Sequence, residues 1–434
     1  MSDLVMESCS VNENGNLAIA GVDTVALARE YGTPLMVMDE NRIREVCRTY
    51  KKAMTESFGT DALPLFASKA LSFKGIYRII AEEGLGSDAV SSGEIYTAKA
   101  AGFDIGKMVF HGNNKTDYDI RFAIENGIGR FVVDNFEELE AIGRIAGELK
   151  VKQKIQLRIT PGIDPHTHKA IATGKIDSKF GNAIATGQAE RITVAALNTE
   201  NVELMGFHCH IGSQIFETEP FISAAQTMIK FIADMKKKTG FCAKELNLGG
   251  GFGVRYVKEH PYIDYAEAIK TVADKTKEFA VVYGVDMPRI MMEPGRSLVA
   301  SAGLTLYTVG SVKEIPEFKN YVSVDGGMAD NPRYALYQSQ YDIKIANRMN
   351  EKADFVCSVA GRCCESGDLL AENVTIPKAK RGDLLAVLVT GAYNYAMASN
   401  YNRLGRPAIV MVKDGKPRLA VKRESFEDLI KNDV

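Results

Sequence analysis

Between Leu63 and Met292 the chain repeats one pattern: a short apolar run, then an amphipathic stretch long enough for a helix. The apolar runs fall at 63–67, 85–90, 108–111, 130–134, 154–159, 204–209, 245–248 and 289–292, which makes eight. Helical spacers between short buried strands are what parallel pairing demands, and eight units over roughly 230 residues fit a closed barrel better than an open doubly wound sheet. The expected fold class is therefore α/β, with a TIM (β/α)8 barrel at its centre.

The flanks read differently. Asp23 is placed to cap a helix through Tyr31, which Gly32 ends and Pro34 follows; residues 35–38 then read as a strand. Ile43, Val46, Cys47, Tyr50 and Met54 lie at helical spacing on one face of a second helix that starts near Asn41. After about residue 297 the pattern becomes β-rich, at 303–313, 320–324, 354–359, 384–389 and 407–412, punctuated by Gly-Asp, Asp-Gly and Lys-Pro turns. The expected organisation is a barrel over residues 36–297, with residues 1–35 plus 298–434 forming a C-terminal domain like a β-barrel or β-sandwich. Sequence leaves open whether the strand at 35–38 joins that second domain.

A chain of 434 residues, 46% hydrophobic and 25% charged, supports one large and one medium core. The net charge is -2 and the basic residues are scattered, so neither nucleic acid nor an anionic membrane is an expected partner. Seven irregularly spaced cysteines without a CxxC pair suit a reducing compartment. Residues 1–15 lack the basic start and apolar run of a secretion signal, and no apolar stretch reaches the ~18 residues of a membrane span. These features point to a cytoplasmic protein working on a small molecule.

The unusual residues cluster just after the predicted strands, at the end where parallel barrels carry active sites. Lys69 follows the first run in LPLFASKA, where it is either a reactive amine or a solvated lysine. Asp88 ends the second run and reads as a functional carboxylate or as a helix cap, with Ser91 and Ser92 beside it. His208 and His210 lie two apart on an extended segment, and His166 and His168 form a second such pair. No HExxH or His-rich third-ligand pattern accompanies them, so a flat ring against a cofactor is expected rather than a metal site. Gly249, Gly250, Gly251 and Gly253 follow the seventh run and EPGR (Glu293 to Arg296) follows the eighth, the usual position of a barrel phosphate site. These glycines match neither GxGxxG nor a Walker loop, which removes dinucleotide and nucleotide triphosphate readings. Further on, Cys364 precedes Glu365 in GRCCESGD, and Tyr393 sits in a Gly-Ala turn; a buried structural thiol is the plainer reading of such a cysteine.

Taken in order, SKA (68–70), HIGS (210–213), GGGFG, EPGR, CESGD and GAY resemble the fold type III pyridoxal-phosphate decarboxylases. ATGKIDSKFG (172–181), GNNK (112–115), DNPRYALY (330–337) and GAYNYAMASNYN resemble the diaminopimelate decarboxylase branch, so the motifs span residues 66–402. The resemblance implies a barrel followed by a β domain, a homodimer with shared active sites, and decarboxylation of meso-diaminopimelate to lysine. It implies that Lys69 carries pyridoxal 5'-phosphate, that Glu293 keeps the pyridine nitrogen protonated and that His210 stacks on the ring. It implies that Asp88 positions the lysine or histidine, that Ser213, Gly249, Gly250, Gly251, Gly295 and Arg296 hold the phosphate, and that Tyr393 joins the cofactor contacts. Cys364 then returns a proton to Cα from the partner subunit, while Arg296, Arg333, Tyr337, Glu365 and Tyr393 bind substrate.

Tyr334, Arg362 and Ser92 depart from the family's usual residues, and the first two flank substrate-contacting segments. Rival readings are a decarboxylase of the same fold acting on ornithine, arginine, a D-amino acid or carboxynorspermidine, and a non-catalytic regulatory homologue. Lys69 and Cys364 are both retained, which speaks against the latter.

Overall fold

The computed structural model describes residues 4–164 and 178–434, which form two compact units. One comprises Val46–Gly253 and Ile263–Gly295; the other comprises Met1–Glu45, Val254–Tyr262 and Arg296–Val434. The predicted pair His166 and His168 falls outside the described residues.

The first unit is a parallel barrel of eight strands: Leu63–Phe66, Gly86–Ala89, Met108–Phe110, Arg130–Val133, Gln153–Thr160, Val202–His208, Glu245–Asn247 and Arg289–Met292. Each pairs in parallel with the next, and the eighth closes on the first through Met291 opposite Leu63. All eight predicted runs are strands. A two-residue strand, Asn182–Ala183, pairs in parallel with the end of the fifth, at Ile159 and Thr160, and was not predicted.

Leu65, Val109, Val132 and Met291 form one buried cluster. The third and fourth strands do not pair with the eighth, so these side chains meet only by pointing into the lumen, which is a packed core rather than a pore. A polar group lies near the opening of the strands, where Glu245 accepts from Gln156 Nε2 at 2.8 Å and from Arg130 Nε at 2.6 Å. Gly206 marks a bulge in the sixth strand, where a Cβ would fall 1.8 Å from the Glu245 carbonyl oxygen, so only glycine lets the sixth and seventh strands approach there.

In the second unit Asp23 caps the helix Thr24–Tyr31, accepting from the Val25 N–H, and Gly32 ends it with φ of 71°. The strand Leu35–Asp39 is buried along its whole length. It sits between Gly303–Ile315, antiparallel, and Ala408–Lys413, parallel, which settles its place in the sheet of this unit. The five predicted β runs after residue 297 are strands. Ile343–Ile345, Leu369–Ile376 and Lys416–Val421 are further strands of the same sheet, and Cys9–Val11, Leu17–Ile19 and Val22–Asp23 form a small separate meander. Among the described residues no helix is long and apolar enough to cross a membrane.

Candidate active site

Lys69 is the middle residue of a single 3-10 turn, Ser68–Ala70, directly after the first barrel strand, and its side chain is exposed. Two bonds hold that turn. The Ala67 N–H donates to the Pro294 carbonyl at 3.0 Å, and the Ser68 N–H donates to Asp88 Oδ1 at 2.7 Å. Asp88 is thus not the cap of the following helix; Ser91 caps that helix by accepting from the Glu94 N–H. Burial raises the Asp88 carboxyl well above its ordinary range, the charge of Glu293 adds to the rise, and Lys69 opposes it.

Glu293 leaves the eighth strand and is buried. Its Oε1 accepts from His111 Nε2 and from Asn247 Nδ2, both at 2.7 Å, and its Oε2 accepts from His208 Nε2 at 3.1 Å. Burial alone would raise this carboxyl, but His111 and His208 hold it well below the ordinary range. Burial pushes both imidazoles down, His208 to about 4, so both are neutral near pH 7 and hydrogen bonding stabilises the carboxylate.

The ligand atoms of His111, His208 and Glu293 lie within 4.8 Å of one another, the spacing of a metal tripod. The buried Nδ1 of His208 has no partner among the described residues, whereas a ligating imidazole donates its second N–H to an acceptor. A hydrogen-bonded carboxylate therefore describes this trio better than a metal centre.

His210 lies two residues past the sixth strand and its Nδ1 accepts from the Gly250 N–H at 3.3 Å. Burial, with Lys69 and Arg158 contributing, holds this imidazole well below its usual range, so it is an uncharged flat ring. The glycine run has a reason that sequence did not suggest. A Cβ on Gly249 would fall 2.5 Å from the Cys209 carbonyl oxygen, on Gly250 2.0 Å from that of Glu293, and on Gly251 2.4 Å from that of Gly212. These glycines let the exits of the sixth, seventh and eighth strands pack backbone to backbone. Ser213 lies in the exit of the sixth strand and is half-buried.

Gly295 is the last residue of the barrel unit, and the remaining predicted residues belong to the other unit. Arg296 and Arg333 are buried there around Tyr256. Arg296 Nη1 donates to the Tyr256 hydroxyl at 2.7 Å, and the Arg333 guanidinium lies 4.6 Å from the centre of the same ring. Arg333 Nη1 donates to the Tyr341 hydroxyl at 2.7 Å, and Arg296 also lies 4.8 Å from the ring centre of Tyr393. Tyr337 ends the short helix Arg333–Tyr337 and is half-buried, while Cys364 and Glu365 are exposed. Of the departures, Ser92 donates to Asp119 and Tyr334 donates to Glu372 Oε2 at 2.8 Å; nothing in the structure explains Arg362.

Sequence reasoning missed His111, Asn247, Tyr256 and Tyr341. His111 directly precedes the quoted GNNK, and its position after a predicted strand was the available signal.

A barrel that presents a primary amine, a carboxylate fenced by N–H donors and a neutral imidazole beyond its strand ends is the framework of a pyridoxal-phosphate enzyme. In agreement, the family described as "Pyridoxal-dependent decarboxylase, pyridoxal binding domain" matches residues 40–300. Diaminopimelate decarboxylase of Bacillus subtilis (strain 168) is 49% identical over 98% of this chain and 96% of its own length. That of Bacillus methanolicus is 49% identical over 95% and 96%. The crystal structure of diaminopimelate decarboxylase from M. jannaschii in complex with L-lysine superimposes with a TM-score of 0.90, at 36% identity over 99% of this chain and 98% of that one. The chain belongs to the diaminopimelate decarboxylase family. Its residues fit pyridoxal 5'-phosphate: Lys69 offers an amine for the aldehyde, and the buried anion at Glu293 suits a protonated ring nitrogen.

Proposed function

We propose that this chain releases CO2 from meso-2,6-diaminopimelate to give L-lysine, with pyridoxal 5'-phosphate carried on Lys69. The observation that carries the reading is the Glu293 carboxylate, buried yet held ionised by His111, His208 and Asn247. An anion there favours a charged ring nitrogen, which a neutral or cationic side chain would not do. When bound, the cofactor supplies an aldehyde for amines and a ring that accepts the electron pair left on Cα as CO2 departs.

The chain's own groups do the rest. Lys69 Nζ anchors the cofactor, and Asp88 steadies the turn bearing it through the Ser68 N–H. His210 offers the face of an uncharged ring. Ser213, Gly251, Gly295 and Arg296 hold the phosphate by N–H donors and charge, with Tyr393 beside them, while Gly249 and Gly250, whose N–H groups are taken by Asn247 and His210, keep the backbone close enough for it to approach. Cys364 Sγ hands a proton to Cα after the carboxylate has gone. Arg296 and Arg333 take substrate carboxylates, assisted by Tyr337 and Tyr393, and Glu365 takes the distal ammonium. A substrate zwitterionic at its far end uses both charges, whereas ornithine lacks the distal carboxylate.

The barrel unit acts as the cofactor domain, and the unit of Met1–Glu45, Val254–Tyr262 and Arg296–Val434 supplies substrate contacts and the interface of a homodimer. Cys364 serves the partner's site, which its exposure on the single chain supports. The enzyme works in the cytoplasm. Supplying meso-diaminopimelate with the cofactor should yield lysine and CO2 in equal amounts. Lys69→Ala should lose visible absorbance, any borohydride-fixed adduct and turnover; wild-type turnover in that variant overturns the assignment.

A further inference from the structure

Glu293 is more constrained than a carboxylate that merely needs to be negative. Its Oε1 accepts two N–H donors at 2.7 Å and its Oε2 accepts one at 3.1 Å. An ionised carboxylate offers about four lone-pair sites. Three are used among the described residues, so the open acceptor position lies on Oε2 and suits one single N–H donor. A bidentate guanidinium does not match that vacancy, whereas a ring nitrogen bearing one proton does.

The donors are themselves fixed. His111 is tied by its backbone N–H to the Ala89 carbonyl at 2.8 Å, and its ring meets that of His208 edge-on at 4.7 Å between centres. Asn247 Oδ1 accepts from the Gly249 N–H at 3.0 Å, which sets the amide with its nitrogen toward Glu293. Reversing that amide would place oxygen against carboxylate oxygen. Packing alone does not require histidine at 111, because an apolar ring fills similar space; what the imidazole adds is a donor aimed at Oε1. The third donor, His208, is the longest of the three.

We propose that His111, backed by Asn247, is a positioning residue: it turns and holds Glu293 so that Oε2 faces the protonated ring nitrogen of the cofactor. This rests on the functional reading above, in which Glu293 is the partner of that nitrogen. His111 touches neither substrate nor cofactor in this role and acts only through Glu293.

The test compares His111→Phe with His111→Gln, which restores a side-chain N–H, and with Glu293→Gln. Each variant is loaded with pyridoxal phosphate carrying 15N at the ring position, and the 15N chemical shift is read together with kcat and KM. The melting temperature of each cofactor-free variant reports folding separately. His111→Phe is expected to move the 15N signal toward that of a neutral pyridine and to lower kcat roughly ten- to hundredfold, the scale of one lost hydrogen bond to a charged group, with KM little changed. His111→Gln is expected to recover most of both. A His111→Phe protein with the wild-type 15N shift and kcat overturns the proposal, as does a His111→Gln protein no better than His111→Phe. If the wild-type nitrogen is already neutral, or Glu293→Gln leaves its shift unmoved, the functional reading of Glu293 fails instead. Should His111→Phe not fold, His111→Gln decides alone: a wild-type 15N shift and kcat support the donor role, and a neutral-pyridine signal overturns it.

Discussion

His208 shows how one buried side chain ties the site to pH. Its folded-state pKa is pushed down from 6.5 to about 4, chiefly by burial and against the pull of Glu293. Below pH 6.5 the unfolded chain binds a proton that the folded chain refuses, so stability present above that pH is lost progressively as pH falls toward about 4. At about 1.4 kcal/mol per unit, the loss from this residue reaches about 2 kcal/mol by pH 5. His208→Gln keeps a donor for Glu293 but does not titrate. The cofactor-free melting temperature is therefore expected to fall less between pH 7 and pH 5 in His208→Gln than in wild type, and equal falls would refute the account. His111, which holds the same carboxylate, marks the limit of sequence reading at this scale. Lys69, Asp88 and Glu293 stand out because each is polar just past an apolar run, but the bond from His111 to Glu293 joins residues 182 positions apart and no local pattern announces it.

The loop after the third barrel strand, the end of the fourth and the helix Phe136–Glu148 are joined by one buried ion pair. Lys115 Nζ donates to the carbonyls of Gly112 at 2.9 Å and Val132 at 3.0 Å, and to Glu138 Oε1 at 2.7 Å. Glu138 Oε2 in turn accepts from the Asp134 N–H at 3.1 Å. Lys115→Met leaves the Glu138 charge buried without its cation, and a loss of about 3–5 kcal/mol is expected. Lys115→Met combined with Glu138→Gln removes that stranded charge while keeping an acceptor for Asp134. Thermal melts should show the double variant more stable than the single one; the reverse order would mean that the pair is not the link between these elements. The barrel strands themselves were legible because parallel strands covered on both faces are written as unbroken apolar runs, as in LPLF and RFVV. Strands of the other unit were missed where that writing breaks down. Leu369–Ile376 carries Glu372 and Asn373 at its centre, with Asn373 at φ of 54°, and Lys416–Val421 has no buried residue and includes Pro417. Such strands are held by their neighbours' registry, which a single sequence does not display.

At the scale of the whole molecule, the proposed chemistry needs Lys69 and Cys364 together, and these residues belong to different compact units. Cys364 is exposed on the single chain, with its backbone N–H donated to Asn402 Oδ1 at 2.7 Å, so its loop is held in place while its thiol stays accessible. In a homodimer with shared sites, Lys69 of one copy works with the thiol of the other. That arrangement has a countable consequence. Lys69→Ala and Cys364→Ala are each expected to be nearly inactive, yet a dimer formed from one copy of each holds one site in which both groups are intact. Random pairing makes about half of the dimers mixed, each with one working site of two, so activity should recover to about one quarter of wild type. The measurement is CO2 release after dissociating and reassociating equal amounts of the two proteins. A site built within one chain predicts no recovery, because every copy would then lack either the amine or the thiol.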